Sequence, residues 1–199
     1  IAPREKPATP LRVAVLGGGS FGTAMANLAA RNGCDTCMWI RDEKAARDMQ
    51  QTGRNMRYLP DFQLEETLQF SSRLEAVVPN RDIILVAIPS HSYRDVLKQI
   101  APMITGQAIV SLTKGIEAET FCLMSDIIQQ ELPEVPFGVL SGPNLAKEIV
   151  ANMPAGTVIA SSSEALRNAV QMALHSALFR VFASSDVHGV ELGGALKNI

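Results

Sequence analysis

Three glycines and three polar side chains carry most of the chemistry this sequence can do. Gly17, Gly19 and Gly22 fit the spacing G-x-G-x-x-G. The first allows a tight turn out of a strand. The second, lacking a Cβ, lets a pyrophosphate approach the backbone, and the third lets the next helix pack close. Ser20 and Phe21 open that helix, where free N–H groups and the helix dipole favour an anion. Lys114 stands after an apolar run and before Gly115, and Asn144 follows a second apolar run. Lys197 comes four and three residues after Gly193 and Gly194, on one face if the segment is helical. Together these residues suggest a nucleotide cradle with polar side chains placed where they could face a ligand.

Positioning them requires a sheet. Apolar runs at 11–16, 34–40, 83–88, 108–112 and 137–140 read as strands, with shorter ones at 68–70, 157–160 and 179–182. Segments with helical periodicity separate them, at 21–31, 43–51, 74–77, 92–100, 119–132, 145–151 and 164–175, and residues 52–60 read as an irregular loop. Phe121, Met124, Ile128 and Leu132 form one stripe of the helix expected at 119–132. Alternation of this kind predicts an α/β, doubly wound, Rossmann-like and mainly parallel sheet. Ligands of such sheets lie beyond the C-terminal strand ends. There the sequence places Gly17–Gly19, Arg41-Asp42, Pro89-Ser90-His91, Lys114-Gly115 and Gly142-Pro143-Asn144.

Arg41 stands 24 residues after Gly17, where an acid would hold a ribose 2′-hydroxyl and an Arg would take a 2′-phosphate. With Asp42 next to it, the balance favours NADPH with NADH tolerated. Asn144 is expected to cap the helix that follows it, whose N-terminus could also hold an anionic substrate group. Two glycines in mid-helix cost roughly 1 kcal/mol each, so at Gly193 and Gly194 something must come close. A ligand and tight helix packing both stay open.

The totals narrow the alternatives. The 199 residues are 47% hydrophobic but only 5% aromatic, with a net charge of −2. That supports a sizeable aliphatic core and argues against nucleic acid or an anionic membrane as partner. The longest apolar run, Ile83 to Ile88, cannot span a bilayer. A reducing cytoplasm is the expected compartment, and a homodimer stays open. Cys34 and Cys37 form C-x-x-C within a strand, so they should point to opposite faces as ordinary thiols. His91, His175 and His188 have no metal-ligand spacing, and no metal is expected. The sequence starts on Ile1 and stops on Ile199 in mid-pattern. This suggests a flexible leader at 1–10, a dinucleotide-binding domain at 11–186 and the first helix of a truncated domain at 187–199.

Six stretches in order resemble the NAD(P)-dependent glycerol-3-phosphate dehydrogenases of bacterial type. They are Gly-Gly-Gly-Ser-Phe-Gly at 17–22, Asn-Met-Arg-Tyr-Leu-Pro at 55–60, Ile-Pro-Ser-His at 88–91, Thr-Lys-Gly-Ile-Glu at 113–117, Ser-Gly-Pro-Asn-Leu-Ala-Lys-Glu at 141–148 and Gly-Val-Glu-Leu-Gly-Gly-Ala-Leu-Lys-Asn at 189–198. The resemblance implies that Lys197 is the general base and that Lys114 touches both cofactor and substrate. It implies Gly142 and Asn144 at the substrate, and Gly17, Gly19, Ser20, Phe21, Gly22, Arg41, Tyr58 and Ala146 at NAD or NADP. It further implies a small-molecule substrate, glycerol 3-phosphate or dihydroxyacetone phosphate, and a C-terminal all-helical domain absent from this chain. Another β-hydroxyacid-type dehydrogenase and a non-catalytic dinucleotide-binding module remain as alternatives.

Overall fold

The computed structural model describes residues 9–196. The chain alternates strand and helix: β1 (Arg12–Leu16), α1 (Ser20–Arg31), β2 (Asp35–Trp39), α2 (Glu43–Thr52), β3 (Gln69–Ser71), α3 (Leu74–Val77), β4 (Ile83–Val86) and α4 (Tyr93–Ile100). It continues with β5 (Ala108–Ser111), α5 (Met124–Glu131), β6 (Phe137–Ser141), α6 (Ala146–Val150), β7 (Ala155–Ala160), α7 (Glu164–Leu174), β8 (Phe179–Ser184) and α8 (Val187–Ala195). The eight strands form one sheet in the order β3-β2-β1-β4-β5-β6-β7-β8. All neighbours are parallel except β6 and β7. The expected doubly wound, mainly parallel α/β sheet is therefore the observed one. The order reverses between β1 and β4, where such sheets hold their ligands.

Alternation along each strand divides the core between the two faces of the sheet. Val13 and Val15 pack with Met25, Met38 and Leu85, while Ala14 and Leu16 pack with Trp39, Ile84 and Tyr93. Each fully buried Leu or Ile contributes about 1.5–3 kcal/mol. Cys34 belongs to the first cluster and Cys37 to the second, so the opposite-face expectation holds. Burial pushes the Cys37 thiol pKa up, which keeps it protonated and inert. No helix among the described residues is long and apolar enough to cross a membrane.

The helices follow their local signals. Asp42 caps α2 by accepting the Ala45 N–H at 2.9 Å, and Gly53 ends it in the left-handed conformation. Ser163 caps α7 in the same way as Asp42 caps α2. One expected helix is shorter than its periodicity suggested. Residues 119–123 form a loop, and α5 starts only at Met124. Glu117 N–H bonds Cys122 C=O at 2.9 Å, and Ile116 bridges Leu123, closing a tight turn. Phe121, with φ +58°, is 79% exposed, so it leaves the apolar stripe expected of it.

The glycine turn fixes the approach of α1 to the sheet. A Cβ on Gly22 would lie 2.2 Å from the Gly17 carbonyl oxygen, a backbone atom that cannot yield. We therefore expect Gly22→Ala to destabilise the protein by about 1–3 kcal/mol, read as a lower urea midpoint, although Ala is the better helix former. An unchanged midpoint would show that α1 has room to move.

Candidate functional site

The ends of β1, β2, β4, β5 and β6 lie along one edge of the sheet, because these strands are parallel. At β1, Gly17 adopts φ +122°, and a Cβ there would sit 2.2 Å from the Ala87 carbonyl oxygen after β4. The turn is held by the Gly17 N–H donating to Trp39 C=O at 3.0 Å. Gly19 differs from its neighbours. Nothing lies within 4 Å of where its Cβ would be, and it starts α1 with no side-chain cap. The first turn of α1, Ser20 and Phe21 included, thus meets open space with its dipole intact.

Beside it is a cleft of about 390 Å³ lined by Phe21, Ala87, Ile88, Thr113, Lys114 and Asn144, with two leucines completing the wall. Phe21, Lys114 and Asn144, singled out separately in the sequence, thus share one cavity. The Lys114 ammonium donates to Gly142 C=O at 2.9 Å. Thr113, just before it, donates its hydroxyl to Ile88 C=O at 2.8 Å, tying the loop after β5 to the end of β4. A Cβ on Gly142 would be 2.9 Å from Gly156 C=O, so its glycine permits close packing on β7.

Asn144 does not cap α6 as expected. Leu145 occupies that position, without a side-chain bond. The Asn144 amide instead donates to Gly156 C=O at 2.8 Å, leaving its buried Oδ1 without a hydrogen-bond partner among the described residues. An acceptor left bare in a cleft is costly in isolation and suits a ligand that brings a donor. Ala146, first in α6, is half-buried and packs on the core under α1.

Arg41 and Tyr58 lie outside this cleft. Arg41 is exposed and makes no ion pair among the described residues. With Asp42 engaged as the α2 cap, Arg41 is the available charge after β2. Tyr58 is 41% exposed, with the Arg57 guanidinium 5.2 Å above its ring. Lys197 falls outside the described residues. The glycines before it divide the two readings left open. A Cβ on Gly194 would clash with Ser141 Oγ at 2.3 Å and reach Lys114 Cγ at 3.9 Å, whereas Gly193 faces open space. Gly194 therefore serves helix packing, and does so beside Lys114.

Three supporting residues, Arg94, Glu191 and Asn55, carried no sequence signal strong enough to select them. Arg94 on α4 makes a two-pronged ion pair with Glu117 and a further one with Glu131, fixing the loop that carries Lys114. Glu191 on α8 is buried. Its Oε1 accepts the Ser125 N–H at 3.0 Å, and the Ser125 hydroxyl donates to its other oxygen. It thus caps α5 from another helix, where Leu123 has no acceptor to offer. Desolvation pushes the Glu191 pKa up, against these bonds. Asn55 joins the glycine turn to a distant loop. Asn55 and Glu191 lie within stretches that carry the resemblance, but only the pairing partners revealed by the fold show what these three residues do.

The Arg94 bond, with one from Thr120, holds the Glu117 pKa down to about 2. An unfolded Glu titrates near about 4.3. This pairing therefore contributes in full above that pH and is lost as pH falls towards 2. Thermal unfolding from pH 6 to 2 should show a steeper acid loss for the unmodified protein than for Glu117→Gln. Parallel curves would deny the coupling.

A family model described as the N-terminus of NAD-dependent glycerol-3-phosphate dehydrogenase matches residues 12–167. A glycerol-3-phosphate dehydrogenase (NAD(P)+) of Acinetobacter baumannii (strain SDF) is 75% identical over 191 residues, covering 96% of this chain and 54% of the relative. One from Psychrobacter arcticus is 64% identical, covering 96% of this chain and 44% of the relative. The crystal structure of glycerol-3-phosphate dehydrogenase from Coxiella burnetii superposes with a TM-score of 0.90 at 35% identity, covering 95% of this chain and 58% of that one. The chain thus spans about half the length of the curated relatives it matches.

Proposed function

Since the chain belongs to the NAD-dependent glycerol-3-phosphate dehydrogenases, over that family's N-terminal region, we propose that it forms the cofactor-binding part of an enzyme interconverting glycerol 3-phosphate and dihydroxyacetone phosphate. The observation that carries this reading is the shared cleft beside the glycine turn, in which Phe21 at the start of α1 meets Lys114 and Asn144. A dinucleotide fits the residues present. The space over Gly19 is one that any Cβ would fill, and the start of α1 has no side-chain cap competing for it. Gly17, Gly19, Ser20, Phe21 and Gly22 would hold the pyrophosphate. Arg41 would take a 2′-phosphate, favouring NADPH while admitting NADH. Tyr58 and Ala146, outside the cleft itself, would flank the dinucleotide.

The bound nicotinamide supplies or accepts the hydride. This chain's residues orient the substrate and handle the proton. Lys114 presents a cation where alkoxide charge develops on the substrate C2 oxygen. The bare Asn144 Oδ1 accepts from a substrate hydroxyl, and Gly142 keeps the wall thin enough for approach. Lys197 takes the hydroxyl proton in oxidation and returns it in reduction. In this reading α8 begins a second, helical domain at residue 187. The enzyme works in the cytoplasm, supplying glycerol 3-phosphate for phospholipid synthesis, and a homodimer is its expected assembly.

The test is reduction of dihydroxyacetone phosphate by the full-length protein, with NADPH and NADH compared. Lys197→Ala should lower kcat by about 10²–10⁴, and near-normal turnover would remove Lys197 as the base. Arg41→Ala should raise KM for NADPH by about tenfold, the scale of one charged contact, while sparing NADH. Equal effects on both cofactors would remove the 2′-phosphate assignment. Failure to turn over this substrate, with activity on a 3-hydroxy acid, would replace the reading with a related dehydrogenase.

A further inference from the structure

The loop at residues 53–60 follows α2 and returns to the glycine turn, where the Asn55 side chain meets it. Asn55 is 3% exposed. Its Nδ2 donates to Gly18 C=O at 3.0 Å and to Thr23 Oγ1 at 2.8 Å, and its Oδ1 accepts the Tyr58 N–H at 3.2 Å. The amide orientation is dictated, because the Gly18 carbonyl can only accept. Its backbone is equally fixed. Leu59 N–H donates to Asn55 C=O at 2.8 Å, and the Leu59 side chain is wholly buried.

In a trans peptide the C=O and the N–H point in opposite directions. Gripping the Gly18 carbonyl from below therefore aims the Gly19 N–H the other way, away from Asn55. Nothing lies within 4 Å of where a Cβ on Gly19 would be. The second bond, to Thr23, reaches the first turn of α1, so one amide holds both the turn and the helix start. Free glycines have the most conformational freedom of any residue. Without this clamp, the Gly18–Gly19 peptide would have to be ordered at the moment of binding, and affinity would fall accordingly.

We propose that Asn55 is a positioning residue for the cofactor, pre-aiming the Gly18–Gly19 peptide so that its N–H meets the dinucleotide pyrophosphate. This rests on the reading of the turn as a dinucleotide cradle. It predicts a loss confined to ligands that carry a pyrophosphate, from a side chain that itself touches no ligand.

The experiment uses calorimetric titration of the full-length protein with ADP-ribose, which contains the pyrophosphate but cannot react. Asn55→Asp preserves shape and the bond from Tyr58 but turns an acceptor towards Gly18 C=O. Asn55→Ala removes the clamp altogether. Thr23→Val removes the second contact and keeps the first. We expect Kd for ADP-ribose to rise about tenfold in Asn55→Ala and more in Asn55→Asp, the scale of one or two lost hydrogen bonds. Thr23→Val should stay within about threefold. Amide exchange in the ligand-free Asn55 variants should be faster at Gly18 and Gly19. At saturating cofactor, kcat and KM for dihydroxyacetone phosphate should stay within about twofold of the unmodified enzyme. Unchanged Kd in folded Asn55→Asp or Asn55→Ala overturns the proposal. An equal loss of affinity for adenosine, which has no pyrophosphate, also overturns it, because it marks general loosening. If the unmodified protein fails to bind ADP-ribose, the dinucleotide reading itself falls.

Discussion

The close approach of the β1 and β4 ends at the glycine turn is the constraint on which the rest depends. Gly17 passes so near the Ala87 carbonyl that no side chain fits, and Gly22 sits equally near Gly17. These two contacts lock α1 against the sheet at its N-terminus. They also place Gly19 at the only one of the motif's three positions where a Cβ would meet nothing. The same spacing thus supplies two kinds of glycine. Gly17 and Gly22 are required by protein packing, and Gly19 by the space in front of it. A substitution at each kind would fail for a different physical reason.

The substrate side of the cleft is built differently, from fixed polar contacts rather than missing atoms. Lys114 is oriented by Gly142 C=O, and its loop is tied down by Thr113 and by Arg94 through Glu117. Glu191 and Ser125 join α8 to α5 on the same side. The cations and acceptors near the cleft are thus held before any ligand arrives. In a site that must stabilise developing charge, such fixed dipoles avoid reorganisation during the reaction.

The sheet and most of the cleft were legible in the sequence, because buried parallel strands read as apolar runs and their ends cluster by topology. Gly17, Lys114 and Asn144 stood out for that reason. What sequence could not reveal was pairing across long separations. Asn55 is 37 residues from Gly18, Arg94 is 23 from Glu117 and Glu191 is 66 from Ser125. Each is a common residue whose role exists only once folding supplies a partner. Local periodicity also misled at residues 119–123. Phe121 has the spacing of a helix stripe, but the Glu117–Cys122 turn and the Arg94 ion pair hold that segment out of the helix.

The single antiparallel pairing, β6 with β7, has a consequence for direction of travel. Strands β7 and β8 enter from beyond the ligand edge and run back, so β8 finishes at Ser184 level with Val139 and Ser111 and points away from the cleft. The helix that follows must then climb in the opposite sense. Its last turn arrives where Gly194 meets Ser141 and Lys114. Had all eight strands been parallel, α8 would set out from the cleft and carry its end away. Reversing β7 and β8 turns a departure into a delivery, bringing Gly194 and the end of α8 to the cleft instead of away from it.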